Sequence, residues 1–276
     1  MQDTAILAQE ELVSGNATDA VCENLGDGRY LIDGQPVNLP VHVNAASMLM
    51  NVFTVDSKVA QQLIADSGFR VVEIWPGKAL MQLLAVDYRE NDLGDYNEAA
   101  ISFPVTTPGE ARPLPLIGAM WRMMRGKLCN YIYRMPVNQD FTTHGGRFIW
   151  GFPKWVTDVD FQFGPERAEG CFRDDGQLVF KIAAKTGGNS KAAAQEAPSL
   201  AIRNGRAWKT VGLTEGQGLT FSMGGEIPEI GDQHPLARQL RAMGLPKKPM
   251  CSISIKDAKM VFEGPEAVAI GERFSR

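Results

Sequence analysis

A lysine set among aromatic side chains is the part of this sequence best suited to chemistry. In the block Thr143-His144-Gly145-Gly146-Arg147-Phe148-Ile149-Trp150-Gly151-Phe152-Pro153-Lys154-Trp155, Lys154 is flanked by Phe152, Pro153 and Trp155, with Trp150 close by. Apolar neighbours that bury an ammonium group disfavour its charged form, and a neutral amine at physiological pH can attack a ketone or aldehyde. The ordinary alternative is that Lys154 lays its stem on apolar surface and carries its charge into water, which is the commoner fate of a lysine. His144 can shuttle protons near neutrality, or it is a loop histidine ahead of a glycine turn, and the two readings weigh equally. Arg147 can grip a substrate carboxylate with two nitrogens or hold the lysine-bearing loop through backbone carbonyls. His42, in a strand-like run after Pro40-Val41, and His234, just before a helix, read as structural.

Carried along the chain, these residues form a family pattern. Gly146-Arg147 followed by Gly151-Phe152-Pro153-Lys154 resembles the acetoacetate decarboxylase family's segment in which a Gly-Arg pair precedes a Pro-Lys. Upstream, Gly94-Asp95-Tyr96-Asn97-Glu98 before a strand ending Phe103-Pro104-Val105 resembles the family's Gly-x-Tyr-x-Glu motif. Downstream, His234-Pro235-Leu236-Ala237, Leu245-Pro246 and Ala258-Lys259-Met260-Val261-Phe262 are similar to its closing helix and last strand. The likeness runs in the right order from about Asn51 onward.

The resemblance implies a closed or nearly closed antiparallel β-barrel, of α+β class, with a few peripheral helices. It implies that Lys154 is a Schiff-base nucleophile acting without metal or organic cofactor, and that Glu98 belongs to the active site. Apart from the family, Glu98 reads as a surface carboxylate paired with Arg89, and Tyr96 as strand packing. Arg147, His144, Tyr96 and Trp155 are the candidate substrate-binding residues, with the loop-holding role favoured for Arg147 because the family keeps it beside the lysine.

Departures from the family matter too. In the decarboxylase proper a second lysine follows the nucleophile and activates it, whereas Trp155 stands here, so activation falls to burial with help from Arg147. No arginine stands in Asn44-Ala45-Ala46-Ser47-Met48-Leu49, where the family has one for the substrate carboxylate, and the run near Gln82-Leu83-Leu84 lacks a family glutamate. A bulkier or less acidic carbonyl compound than acetoacetate is therefore expected. Decarboxylation of a β-keto acid is the leading expectation, followed by imine-based aldolase or dehydratase chemistry, then by a barrel that binds a carbonyl compound without turnover.

The elements that must position these residues are mostly short extended runs punctuated by Gly, Pro, Asn and Asp. The clearest cover residues 80–88, 99–105, 178–182 and 252–255, with Val156-Thr157 a weaker candidate. Helices are expected from Asp56 to Gly68, from Pro235 to Met243, and in the first dozen residues. Residues 184–191, polar and Gly-rich, read as a mobile surface loop because the order needed for a phosphate loop is missing. Residues 1–40 are expected to be an N-terminal extension of unknown role, and residues 41–276 one barrel domain.

Composition narrows the partners. The 276 residues are 44% hydrophobic and carry 28 Lys plus Arg against 32 Asp plus Glu, with no run of like charge. A small-molecule partner is expected, with no nucleic acid and no membrane. The N-terminus lacks the basic and apolar regions of a secretory signal, which makes the cytoplasm the default. Four widely spaced cysteines, Cys22, Cys129, Cys171 and Cys251, offer no metal or redox spacing. A symmetric homo-oligomer is expected from the family.

Overall fold

The structure, a computed structural model, describes residues 21–110 and 128–268; the expected N-terminal helix lies outside these residues. In chain order the elements are β1 (Cys22–Gly26), β2 (Arg29–Ile32), β3 (Gln35–Asn38), β4 (Val41–Asp56), α1 (Ser57–Leu63), β5 (Arg70–Val71), β6 (Glu73–Trp75), β7 (Lys78–Asn91), β8 (Tyr96–Thr106) and β9 (Cys129–Val137). They continue with α2 (Asp140–Gly145), a π-helical turn (Gly146–Trp150), β10 (Lys154–Val156), β11 (Asp158–Phe163), β12 (Arg167–Asp174), β13 (Gln177–Lys185), β14 (Ser190–Arg203), β15 (Arg206–Met223), β16 (Glu229–Ile230), α3 (Pro235–Ala242), β17 (Cys251–Phe262) and β18 (Glu266–Val268).

Seven strands close a barrel in the order β9-β14-β15-β17-β4-β7-β8, with β8 returning to β9. Strand β8 shows why closure suits these residues. Tyr96, Glu98, Ala100 and Ser102 face an interior cavity, while Ala99, Ile101 and Phe103, which alternate with them, point outward into a core. That period of two is the strand's own geometry. Both faces are covered, so the strand is buried almost throughout.

The outer cover is a second sheet, β11-β12-β13-β16, with α1 and α3. Phe172, Phe180 and Ile182 of this sheet meet Phe53, Met81 and Leu83 of the barrel wall. The layers touch closely at Gly170, where an added Cβ would lie 2.3 Å from that of Ala85; the missing side chain permits the approach.

One seam departs from the expected antiparallel barrel. β9 and β14 pair in parallel, through Ser199 with Asn130 and Leu200 with Tyr131, and β10 adds to β9 in parallel as well. Parallel neighbours need a long crossover, and residues 138–189, which carry α2, β10 and three strands of the covering sheet, supply it. Only two residue pairs join β9 to β14, so much of β14 borders the cavity with no strand partner on that side among the described residues.

Helices α1 and α3 end as their residues dictate. Asp56 caps α1 by accepting from the backbone N–H groups of Lys58 and Val59, each at 3.0 Å, and Gly68 closes the following 3₁₀ turn at φ 72°. His234 caps α3, its Nδ1 accepting from the Leu236 N–H at 3.2 Å, with Pro235 in the first turn. Only the ends of the Gly-rich stretch 184–191 are strand, since β13 runs to Lys185 and β14 starts at Ser190. Between them Thr186 donates to the carbonyl of Glu166 and Gly188 to the Thr220 hydroxyl. The small sheet β1-β2-β3 stands apart from the barrel sheet but packs Ile32 and Val37 into the same apolar cluster as barrel residues.

Candidate active site

The barrel encloses a cavity of about 670 Å³ with mostly apolar walls, and Lys154 reaches it from the short strand β10 at the barrel's lip. Lys154 is 4% exposed and its Nζ lies 2.9 Å from Glu98 Oε2, itself 4% exposed. Nζ also donates to Thr142 Oγ1 at 3.0 Å and sits 4.9 Å from the centre of the Tyr96 ring. The other carboxylate oxygen of Glu98 accepts from the Tyr88 hydroxyl at 3.3 Å. Tyr88 and Tyr96 pack ring to ring at 4.6 Å. The ammonium thus finds polar partners on several sides, which is what a buried charge needs to be tolerated.

This geometry corrects the expectation of an amine neutralised by burial. Burial does push the Lys154 ammonium toward its neutral form and is the largest single influence, but the charge and hydrogen bond of Glu98, with support from Tyr96, outweigh it and hold the lysine above its ordinary value. Lys154 rests as the cationic half of an ion pair. Burial likewise raises both tyrosines, most strongly Tyr88, so their phenols stay protonated.

Local structure explains how the lysine gets there. Helix α2 starts at Gln139, whose side chain accepts from the Thr142 N–H at 3.1 Å, and the π turn continues it to Gly151 at φ 74°. Lys154 crosses the turn at Gly146, where a Cβ would stand 2.6 Å from Lys154 Cδ and 2.9 Å from Cε. Arg147 donates from Nε to the Lys154 carbonyl at 2.5 Å. This bond holds the lysine's backbone, and Arg147 is not among the described residues around the cavity.

Gly146→Ala is therefore expected to cost both stability and reactivity. Removing a helical glycine favours the helix by only roughly 0.5–1 kcal/mol, while the new methyl group displaces a lysine whose head is held by Glu98 and Thr142, and a buried carboxylate left without its partner costs up to about 3–5 kcal/mol. We expect the melting temperature to fall and amine reactivity toward a ketone to drop about 10²-fold, the scale of a 1 Å misplacement. Thermal unfolding and the rate of borohydride trapping would read the two effects.

Two candidate binding residues stand elsewhere. Trp155 follows Lys154 on β10, and neighbouring residues of a strand face opposite ways. Its ring lies in the core under the covering sheet, 5.8 Å from Phe172, and its Nε1 donates to Asp174 Oδ1 at 3.1 Å. Asp174 also meets His234 Nε2 at 3.2 Å, which ties β10 to α3. His144 is helical, not on a loop. It stands two residues after Thr142, a spacing that puts side chains on different helix faces, and its Nδ1 lies 2.5 Å from Asp33 Oδ2 in the turn between β2 and β3. Glu98 does not pair with Arg89, which meets Asp87 at 3.2 Å and Asp257 at 3.8 Å instead.

Thr142 and Tyr88 are site residues that sequence reasoning overlooked. Tyr88 carried a usable signal, because it stands opposite Tyr96 in the β7–β8 pairing, two residues from Glu98 in the motif strand. Thr142 carried none, since its contact depends on a helix its own segment does not advertise. Among the described residues, no group of three or more His, Cys, Asp or Glu side chains is placed to hold a metal ion, and no helix is long and apolar enough to cross a membrane.

A seven-stranded barrel with a buried lysine–glutamate pair opening on an apolar cavity defines the class of protein. The chain belongs to the acetoacetate decarboxylase family, whose model matches residues 33–211. Its fold is similar to that of acetoacetate decarboxylase from Legionella pneumophila, with a TM-score of 0.58 at 13% identity over 83% of this chain and 87% of that one. It is also similar to the enduracididine biosynthesis enzyme MppR complexed with pyruvate (TM-score 0.55, 15% identity, 86% and 91% covered). An acetoacetate decarboxylase-like enzyme from Sphingomonas wittichii gives 0.51 at 14% identity, with 86% and 96% covered. No curated protein sequence matches this chain. At such identities the structural likeness is one of fold, and the family includes decarboxylases and related enzymes.

Proposed function

We propose that this protein is a cofactor-independent lyase that condenses Lys154 with a carbonyl substrate, and that its reaction is decarboxylation of a β-keto acid bulkier and more apolar than acetoacetate. The observation that carries this reading is the buried Lys154–Glu98 pair, 2.9 Å apart, on the wall of an apolar cavity. Glu98 takes a proton from Lys154, and the free amine adds to the keto carbon. Loss of water leaves a protonated imine. The electron pair of the bond to the carboxylate then collapses toward the imine nitrogen, giving an enamine and carbon dioxide. Carbon then takes a proton, which Glu98 relays from water, and hydrolysis of the resulting imine releases the ketone and restores the lysine. Positioned proton transfer of this kind is worth roughly 10²–10⁴ in rate.

The walls favour this direction of chemistry. Among the described residues, Lys154 is the only cation bordering the cavity. A carboxylate held among apolar side chains is poorly solvated, whereas its charge disperses into the imine as carbon dioxide departs, so such surroundings raise the ground state more than the transition state. An arginine clamp would do the opposite.

Incubation with acetoacetate, or with a longer β-keto acid, in the presence of borohydride should add the reduced ketone to the peptide containing Lys154, read by mass. Without borohydride, carbon dioxide should be released. An unmodified Lys154 would overturn the Schiff-base reading; modification without carbon dioxide release would leave imine-based aldol or dehydration chemistry.

A further inference from the structure

The far end of the cavity carries a second polar group of residues that the imine chemistry does not use. Gln82 and Ser102 are direct partners across the β7–β8 pairing, and the Ser102 hydroxyl donates to Gln82 Oε1 at 3.1 Å. On β9, Asn130 pairs with Pro104, two residues beyond Ser102. Its Oδ1 is turned away from open space and has no hydrogen-bond partner among the described residues. All three side chains border the cavity. Ser102 stands four residues from Glu98 on the same face of β8, a separation of about 13 Å at the rise of an antiparallel strand. Leu84, Ala100 and Ile132 line the stretch between.

A few polar groups placed on an otherwise apolar wall are what fixes a ligand's orientation in a pocket. We propose that Gln82, Ser102 and Asn130 form a subsite for the remote end of an elongated substrate. Building on the lyase reading, the substrate carries its reacting carbonyl at one end and an uncharged hydrogen-bonding group, a hydroxyl or carboxamide, about 13 Å away across an apolar middle. The Gln82 amide, whose oxygen already holds Ser102, has N–H donors to offer that group. No charged side chain belongs to the group, which selects a neutral terminus over a second carboxylate or an amine.

A series of methyl ketones of increasing chain length, each with and without a terminal hydroxyl, tests this. Affinity is measured by calorimetry without reductant, and imine formation separately by borohydride trapping. At one chain length the hydroxyl should tighten binding about tenfold, the scale of one hydrogen bond. Asn130→Leu should remove that preference while short-ketone trapping at Lys154 persists, which also shows that the variant is folded. Ser102→Ala should weaken the preference with less disturbance of the wall. Equal binding of both series at every length would overturn the subsite. A length-dependent hydroxyl preference with no trapping at all would support the subsite and sink the lyase reading.

Discussion

Lys154→Met is expected to abolish borohydride trapping of ketones and to lower turnover by at least about 10⁴-fold, as loss of a covalent nucleophile does. The same substitution should destabilise the protein, for a reason unrelated to chemistry. Glu98, 4% exposed, would keep its hydrogen bond from Tyr88 but lose the ammonium 2.9 Å away. Removing one partner of a buried pair costs about 3–5 kcal/mol, because the remaining charge is left uncompensated. Adding Glu98→Gln to Lys154→Met should therefore restore much of the stability without restoring activity. Urea unfolding of the wild type, both single variants and the double variant gives the coupling between the two residues. A single Lys154→Met as stable as the wild type would mean that the pair is not buried as described.

The barrel was legible because its strands have two covered faces. The runs 80–88 and 99–105 read as strands from composition, and both lie inside the longer β7 and β8. What these runs concealed was curvature, since a buried strand looks alike in an open sheet and a closed one, and the parallel β9–β14 seam depends on a crossover of some fifty residues. Lys154 and Glu98 stood out through family motifs; their pairing did not, because 56 residues separate them. The segment holding Thr142 hid its helix, since Thr-Thr and Gly-Gly are poor helix formers and the helix forms through packing around the lysine that crosses Gly146. Trp155 and His144 were drawn into the site by closeness in sequence. Strand alternation and helical rotation carry each of them to another surface.

Glu98→Gln should divide the reaction in two. In the wild type the ammonium is held above its ordinary value even though burial is the largest influence and works against it, because the carboxylate opposes burial. With a neutral glutamine in that place, burial prevails and Lys154 loses its proton at a lower pH. Trapping of a simple ketone should then become independent of pH at a lower pH than in the wild type, and at neutral pH it should be no slower. Turnover should still fall, by roughly 10²–10⁴, because no carboxyl group remains to relay a proton from water to carbon. Stability carries the matching sign. A lysine held high in the folded state stabilises the wild type fully below its unfolded value of 10.5 and ceases to do so as pH rises through the higher folded value. The glutamine variant has no such alkaline loss from this residue. Trapping rates and urea midpoints across the same pH series separate these effects, and a Glu98→Gln variant whose trapping profile lies at higher pH than the wild type's would show that the carboxylate is not what keeps Lys154 charged.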